Sequence, residues 1–591
     1  MKMNKHKIIT LILLGWGGIS LAQIKEEKLI LDRKREPEVK RIEKKKTSVA
    51  LEKNYPPEEK QQEPINYEVV NVPVLSDFKT SAIQGEDISP EFNRNYLRNY
   101  FRIGYGNYNQ FLADANVSGK MQDNLEVGAN VHYLSNEGLK KQYAWDSSQK
   151  QAEISGFLNH FGEKGKANLT TSVGLNDYNY YGIYALVPNA DADLGQKYSR
   201  FQISGNYDFY SNEILNDITV KTLAIRDRFK ANESQIDALV NLSKHHLKLG
   251  QDLDVNLDLG VKMDMVNTQF NILNQHNSRY FGGGLSPKIT FKKGQSYLKI
   301  GSGFNLLSSS LTKLNETQQK SNRFYWFPQA ELFVATTPKA NLYGGVESGL
   351  QFNTYSRLLE QNPFLVSDLE LKPTHTKYQF YFGVKGVVSE QIKYDVKASY
   401  GKLDNMMFFG GNSLFSNLID DNSRLGYDYA NTFSTTYHNG TLSQIKGEIE
   451  YKPLASLVLD GNIQFQKYNL ENNVNVYYRP LLQASIGAKY QTLKDKLLLG
   501  FRGFFVSDRM ANRFSINPSG ILISTPIYAE EEIDNQKVGG YADLNISAEY
   551  QINKNFSIFA LGNNLLGANY QNYYGYKVLG MQIMGGLKIK F

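Results

Sequence analysis

Cysteine is absent from all 591 residues. That excludes disulfides, thiolate metal sites, cysteine nucleophiles and a lipidated N-terminal cysteine. Long apolar runs are missing as well. Beyond the first two dozen residues no segment supplies the roughly 18 consecutive apolar residues of a membrane helix, so if this chain spans a membrane it must do so as a closed barrel. Proline is sparse, at 16 residues, and the net charge of +7 is small for this length. Such a balance gives no reason to expect a nucleic-acid partner. Catalytic motifs are lacking too, with no G-x-S-x-G, H-E-x-x-H or phosphate-binding glycine loop. The histidines after the first residues, His132, His160, His245, His246, His276, His375 and His438, are scattered. The adjacent pair His245 and His246 is expected on opposite faces of a strand. The chain is read as no enzyme, with no cofactor.

What the sequence does have is alternation. A strand sends successive side chains to opposite faces, so one set between lipid and an aqueous lumen must alternate apolar with polar or small residues. Leu253, Val255, Leu257, Leu259, Val261, Met263 and Met265 form one set, against Asp254, Asn256, Asp258, Gly260, Lys262 and Asp264. Ala542 to Tyr550 alternates likewise, and so does the C-terminal stretch through Met581, Ile583, Leu587, Ile589 and Phe591. A high tyrosine content, 39 residues, suits interfacial girdles in which the ring meets lipid and the hydroxyl stays wet. The fold class expected is all-β, a transmembrane barrel of the outer membrane with lipid around it.

Residues 1–22 read as a cleaved signal peptide: a basic start at Lys2, Lys5 and Lys7, an apolar run, and a small-residue site ending at Ala22. Residues 23–64 are charged at more than half their positions and carry Pro37, Pro56, Pro57 and Pro64, the composition of a disordered periplasmic linker. The alternative reading is a docking arm whose basic run Lys44, Lys45 and Lys46 meets a periplasmic partner or the cell wall. Residues 65–95 form a short N-terminal segment, a lumen or periplasmic insert, and 96–591 the barrel. Short turn-like breaks fall near 122–124, 162–165, 211–212, 250–251, 293–294, 338–339, 389–390, 453–454, 494–495 and 553–554, with long polar segments between them and a tight loop at 107–109. Short turns at one end and long loops at the other predict 22 strands with both chain ends on the periplasmic side.

Several residues are singled out for function. Met406, Met407, Phe408 and Phe409, with nearby Leu414, Phe415, Leu418 and Ile419, form an apolar stretch read as a surface loop; it either folds over the mouth or meets a partner or ligand. Asp254, Asp258, Lys393, Asp395, Lys446 and Glu448 face the lumen, where charges of both signs either pair across strands or line a polar cavity. Glu530, Glu531, Glu532 and Asp534 read as a solvated acidic loop. Asn189, Asp191 and Asp193 have part of a calcium-loop spacing, but the glycine falls at Gly195 and no glutamate follows in register, so no metal site is assigned.

The 22-strand count, the terminal aromatic Phe591 and the run Gly562-Asn563-Asn564-Leu565-Leu566-Gly567-Ala568-Asn569-Tyr570 resemble the TonB-dependent receptor family. So does Asn362-Pro363-Phe364-Leu365 followed by Leu371-Lys372-Pro373. The resemblance covers about residues 96 to 591 and implies solute uptake across the outer membrane, with Phe591 read by the barrel-assembly machinery during biogenesis. Two departures stand out. Gly567 replaces the family's usual aspartate, and the residues between Pro64 and Tyr96 are too few for the family's plug domain. No convincing TonB box is found, which leaves pairing with TonB open. The alternative is a non-transporting structural or assembly component whose loops and N-terminal arm engage an envelope protein partner.

Overall fold

The computed structural model describes residues 99–188, 192–210, 214–416, 424–522 and 525–591. The signal peptide, the charged linker and the 65–95 segment lie outside the described residues, as do the break at 211–212, Leu418, Ile419, Asn189 and Asp191. Among the described residues, 22 strands form one antiparallel sheet, closed by pairing of its first strand, Tyr100–Gly106, with its last, Gln582–Lys590, and two separate hairpins, Arg509–Leu522 with Thr525–Val538 and Gln571–Tyr573 with Tyr576–Lys577, lie in loops. Phe591 continues this seam, its N–H donating to the Asn99 carbonyl at 3.0 Å. Closure leaves no edge strand, which a barrel in lipid requires.

The alternation read from the sequence is the alternation of the wall. In the strand Leu253–Gln269, Leu257, Met263 and Met265 are exposed on the outside while Asn256 and Asp264 are buried inside. Many strands run 15 to 22 residues, well beyond the roughly 10 that cross a bilayer. The surplus lies at the long-loop end. There the outward apolar band stops within one step on neighbouring strands: Ala224 gives way to Arg226, Met265 to Asn267, Phe281 to Arg279, Leu306 to Ser308 and Phe324 to Asn322. Above that line the strands form a collar that carries the loops.

Two local expectations are corrected. Asn405 to Gly411 is not a loop: it is the outer end of the strand Ile392–Gly411, paired from Met406 to Gly411 with the strand Phe433–Leu454. Its apolar residues find partners on both faces, so pairing continues past the band. His245 and His246 do not simply alternate, because a bulge falls between Lys244 and Leu247 and His246 adopts φ 58°. Their rings lie 6.4 Å apart.

Candidate functional site: the capped barrel mouth

The connection between the strands Ala340–Gln351 and Thr374–Ser389 turns into the collar and forms a short helix, α1 (Tyr355–Gln361). The Thr354 hydroxyl caps it, accepting from the Arg357 N–H at 3.4 Å. Two buried carboxylates from adjoining strands hold this helix. Glu233 accepts from the first N–H groups of α1, Tyr355 at 2.7 Å and Ser356 at 2.9 Å, and also from the Thr268 hydroxyl and Gln235 amide, each at 2.7 Å. A negative charge at a helix start is favoured by the unpaired N–H groups there. Asp227 accepts from the Tyr355 hydroxyl at 2.8 Å, from Gln196 at 3.2 Å and from the Ser367 hydroxyl.

Residues 362–373 follow, and they are the segment whose asparagine-proline and leucine-lysine-proline pattern stood out in the sequence. Asn362 reverses the chain by accepting from the Phe364 N–H at 3.0 Å. Such an irregular stretch, buried in a collar, must find donors for its carbonyls. Tyrosine hydroxyls supply several of them, here and at the end of α1. Tyr573 donates to Gln361 at 2.8 Å, Tyr178 to Pro363 at 2.5 Å, Tyr180 to Leu365 at 2.8 Å, Tyr280 to Leu371 and Tyr437 to Glu370 at 3.0 Å. Backbone bonds pin the centre: Val366 N–H to the Phe433 carbonyl at 3.0 Å, and Phe433 N–H to the Phe364 carbonyl at 3.1 Å.

Four further loops close over this segment. Tyr576 stacks on Phe364 with ring centroids 3.5 Å apart and donates to the Asn431 carbonyl at 2.5 Å. Asn431 donates to the Tyr180 carbonyl at 2.6 Å, Trp145 to that of Tyr181 at 2.8 Å and Tyr143 to that of Gly575 at 2.7 Å. Leu358, Leu365, Val366 and Leu369 are fully buried beneath. Burial pushes the hydroxyls of Tyr180, Tyr181, Tyr355 and Tyr576 well above their ordinary pKa. It also raises Asp428, against the pull of the Phe415 N–H and of Arg424.

Below this cap lies a chamber of about 1090 Å³. Its roof includes Leu359, Pro363, Phe364, Tyr573 and Tyr576, and its walls are lumen-facing side chains of the first and last strands, among them Arg102, Asp114, Arg200, Arg502 and Asp543.

The residues singled out in the sequence fall in separate places. Met407 and Phe409 belong to the cap core, whereas Met406 and Phe408 face outward and pack with Leu403, Leu442 and Leu470. Phe415 is 37% exposed and sits edge-on to Tyr427. The lumen charges have partners: Asp254 lies 3.3 Å from Lys248, Asp258 2.8 Å from His245, and Lys393 4.0 Å from Glu450. Asp395 accepts from the Tyr343 hydroxyl at 2.5 Å. Asp395 stands opposite Glu448 and Lys397 opposite Lys446, so opposite charges meet on the diagonals. Glu530, Glu532 and Asp534 belong to a protruding hairpin, Arg509–Leu522 with Thr525–Val538, and accept from Ser413, Asn512 and Tyr477. Asp193 pairs with Arg228.

The tyrosine cap was not read from the sequence, which assigned tyrosine to lipid girdles. The signal was present in the clustering of Tyr178, Tyr180, Tyr181 and Tyr184 in one loop and Tyr570, Tyr573, Tyr574 and Tyr576 in another.

No protein-family model matches the sequence, and no curated protein matches it. Solved structures do match in fold. The siderophore receptor PiuA from Acinetobacter baumannii superposes with a TM-score of 0.61 at 10% identity, over 83% of this chain and 82% of that one. The ferric-catecholate import receptor Fiu from E. coli K12 gives 0.60 at 11% identity, over 85% and 82%. The copper transporter OprC gives 0.55 at 10%, over 84% and 80%. The described barrel therefore shares the 22-strand fold of these solved outer-membrane receptors.

Proposed function

We propose, taking as premise a barrel of the outer-membrane receptor fold, that this chain passes a solute across the outer membrane and that its own loops shut the mouth at rest. The long-loop end faces outward and the turn end the periplasm, with lipid around the apolar band. The observation that carries this reading is the cap above a large polar chamber. A 22-strand barrel encloses a lumen wide enough to leak unless something fills it. Here the closing element is held by hydrogen bonds and side-chain packing, all of which water and a ligand can replace. A shut but breakable cap is what a regulated conduit needs.

The second reading, a structural component that binds an envelope protein, draws on the same cap. Its apolar centre around Leu358, Leu365 and Leu369 is as dry as a domain core, and a cap that never opened would make the barrel a scaffold.

Single-channel conductance in a planar bilayer separates the two. It is measured on the full chain, on one lacking Gln23 to Asp87, and on Glu233→Ala, which removes the acceptor of the helix α1. Large conductance in Glu233→Ala supports a conduit closed by loops. Large conductance only without Gln23 to Asp87 moves the closing role to that segment, and silence in all three moves the assignment to the scaffold.

A further inference from the structure

We infer that the outer face of the collar, just above the apolar band, binds the phosphates of a glycolipid headgroup in the outer leaflet. The inference rests on the long-loop end facing outward and is independent of solute passage.

Three exposed cations stand on this face, Arg226, Arg279 and Lys320, on the strands Leu215–Asp227, His276–Lys293 and Gln319–Thr337. Each sits where the outward apolar residues stop. Ala224 lies two positions below Arg226 and Phe281 two positions below Arg279, a step of about 7 Å along a strand. The headgroup layer is about 5–8 Å thick on each side of the hydrocarbon, so these side chains emerge at the depth of lipid phosphates.

Their neighbours leave the charge uncompensated. Arg226 stands opposite Ser199 on one adjoining strand and Asn232 on the other, and Arg279 stands opposite Asn267 and Ser310. Ser310 in turn stands opposite Lys320. Among the described residues, no carboxylate occupies an outward strand position of the collar between Arg226 and Lys320, and none of the three cations has an ionic partner. Collar cations elsewhere are paired: Arg228, just beyond Arg226, holds Asp193, and Lys377 lies 2.8 Å from Asp404. Asn267 accepts from the Nε of Arg279 at 2.9 Å. That bond steadies the guanidinium and leaves its two terminal nitrogens for a phosphate, which they fit as a fork.

The spacing selects the headgroup. Arg226 and Arg279 are three strand spacings apart, about 14 Å, and Arg279 and Lys320 two, about 10 Å. Cations so separated match phosphates carried at separate places on one sugar headgroup, and the serine and asparagine side chains between them give and take hydrogen bonds as sugar hydroxyls require. A phospholipid with a single phosphate engages one of these cations at a time.

Trp326 reports on this face. It is 59% exposed on the outer wall, on the same strand as Lys320, and its indole N–H donates to Ser302 at 2.6 Å. Trp145→Phe leaves it as the one indole beyond the predicted signal peptide. That protein is reconstituted in brominated phosphatidylcholine, which quenches Trp326, and titrated with unbrominated diphosphoryl lipid A; recovery of emission measures the preference of the wall for the glycolipid. One cation near anionic lipid contributes about fivefold, so the three together predict a preference on the order of 100-fold over phosphatidylcholine. Arg226→Gln, Arg279→Gln and Lys320→Gln are each expected to lower it about fivefold, and the triple variant to remove it. Lys164→Gln, the same charge change in an exposed turn at the opposite end of the barrel, is expected to leave it unchanged. Equal recovery with dephosphorylated lipid A would make the contact one of acyl chains alone, equal recovery with phosphatidylglycerol a general anionic surface, and an equal fall in Lys164→Gln a diffuse charge effect; each overturns the inference. So does the absence of any recovery, or an unchanged preference in variants whose heat-modifiable mobility shows a folded barrel.

Discussion

Glu233→Ala is the perturbation that bears most on the cap. The substitution leaves the Tyr355 and Ser356 N–H groups, now held at 2.7 and 2.9 Å, without an acceptor at the start of the helix α1. A hydrogen bond to a charged group contributes about 1.5–3 kcal/mol. Counting only these two at the low end gives about 3 kcal/mol, and at about 1.4 kcal/mol per tenfold the ratio of open to closed cap rises about 100-fold. The loss of the Thr268 and Gln235 bonds weakens the wall and adds to this. Open probability in single-channel recordings is the assay. Glu360→Ala is the control on the same helix, because its pair with Arg200 is partly exposed and such pairs contribute about 1 kcal/mol or less. That is about a fivefold change at most. If folded Glu233→Ala opens no more often than the unsubstituted protein, or no more often than Glu360→Ala, the carboxylate does not hold the cap.

Four further outcomes are expected. The cap should open as pH rises above about 10, because below the ordinary tyrosine pKa the hydroxyls are neutral whether the cap is closed or open, and above it only an open cap lets Tyr180, Tyr181, Tyr355 and Tyr576 ionise; open probability and tyrosinate absorbance should rise together, and an opening complete by pH 8 would refute this origin. Gly182→Val should loosen the roof without harming the barrel, since any Cβ there runs into the Tyr576 ring, and heat-modifiable mobility on a gel should stay normal while conductance rises. Gly586→Val should instead harm the barrel itself, because a Cβ there meets the Ile103 carbonyl across the closing seam and the Phe559 ring; deletion of Phe591 is expected to lower the yield of folded barrel by the separate route of the assembly machinery, and normal yield of either variant counts against its role.

The wall was legible in the sequence because it obeys a period of two that lipid enforces. The short breaks that fall within the described residues coincide with the connections between strands, except that the one read at 453–454 falls in the last two residues of a strand with its turn at 455–456, and the tight loop at 107–109 is a single 3-10 turn. The cap was not legible, since its order comes from contacts between residues far apart in the chain: Tyr178 meets Pro363, and Tyr143 meets Gly575. No periodicity marks such pairs. Met406 to Phe409 misled for a related reason. Four consecutive apolar residues break alternation, and only the structure shows that one pair serves the cap core and the other an outward cluster with Leu403 and Leu442. Nothing in the sequence marks Asp227 or Glu233, because the helix they hold lies more than a hundred residues away.

The most direct test of a mouth closed by its own loops uses the missing cysteine. Asn176→Cys places a single thiol in the chamber wall, and Leu566→Cys places one on an exposed outer loop. Intact cells are treated with a membrane-impermeant maleimide, and labelling rates are compared. The account predicts rapid labelling of Leu566→Cys, little or none of Asn176→Cys, and rapid labelling of Asn176→Cys once Glu233→Ala is added. Equal labelling of both thiols with Glu233 in place would contradict it.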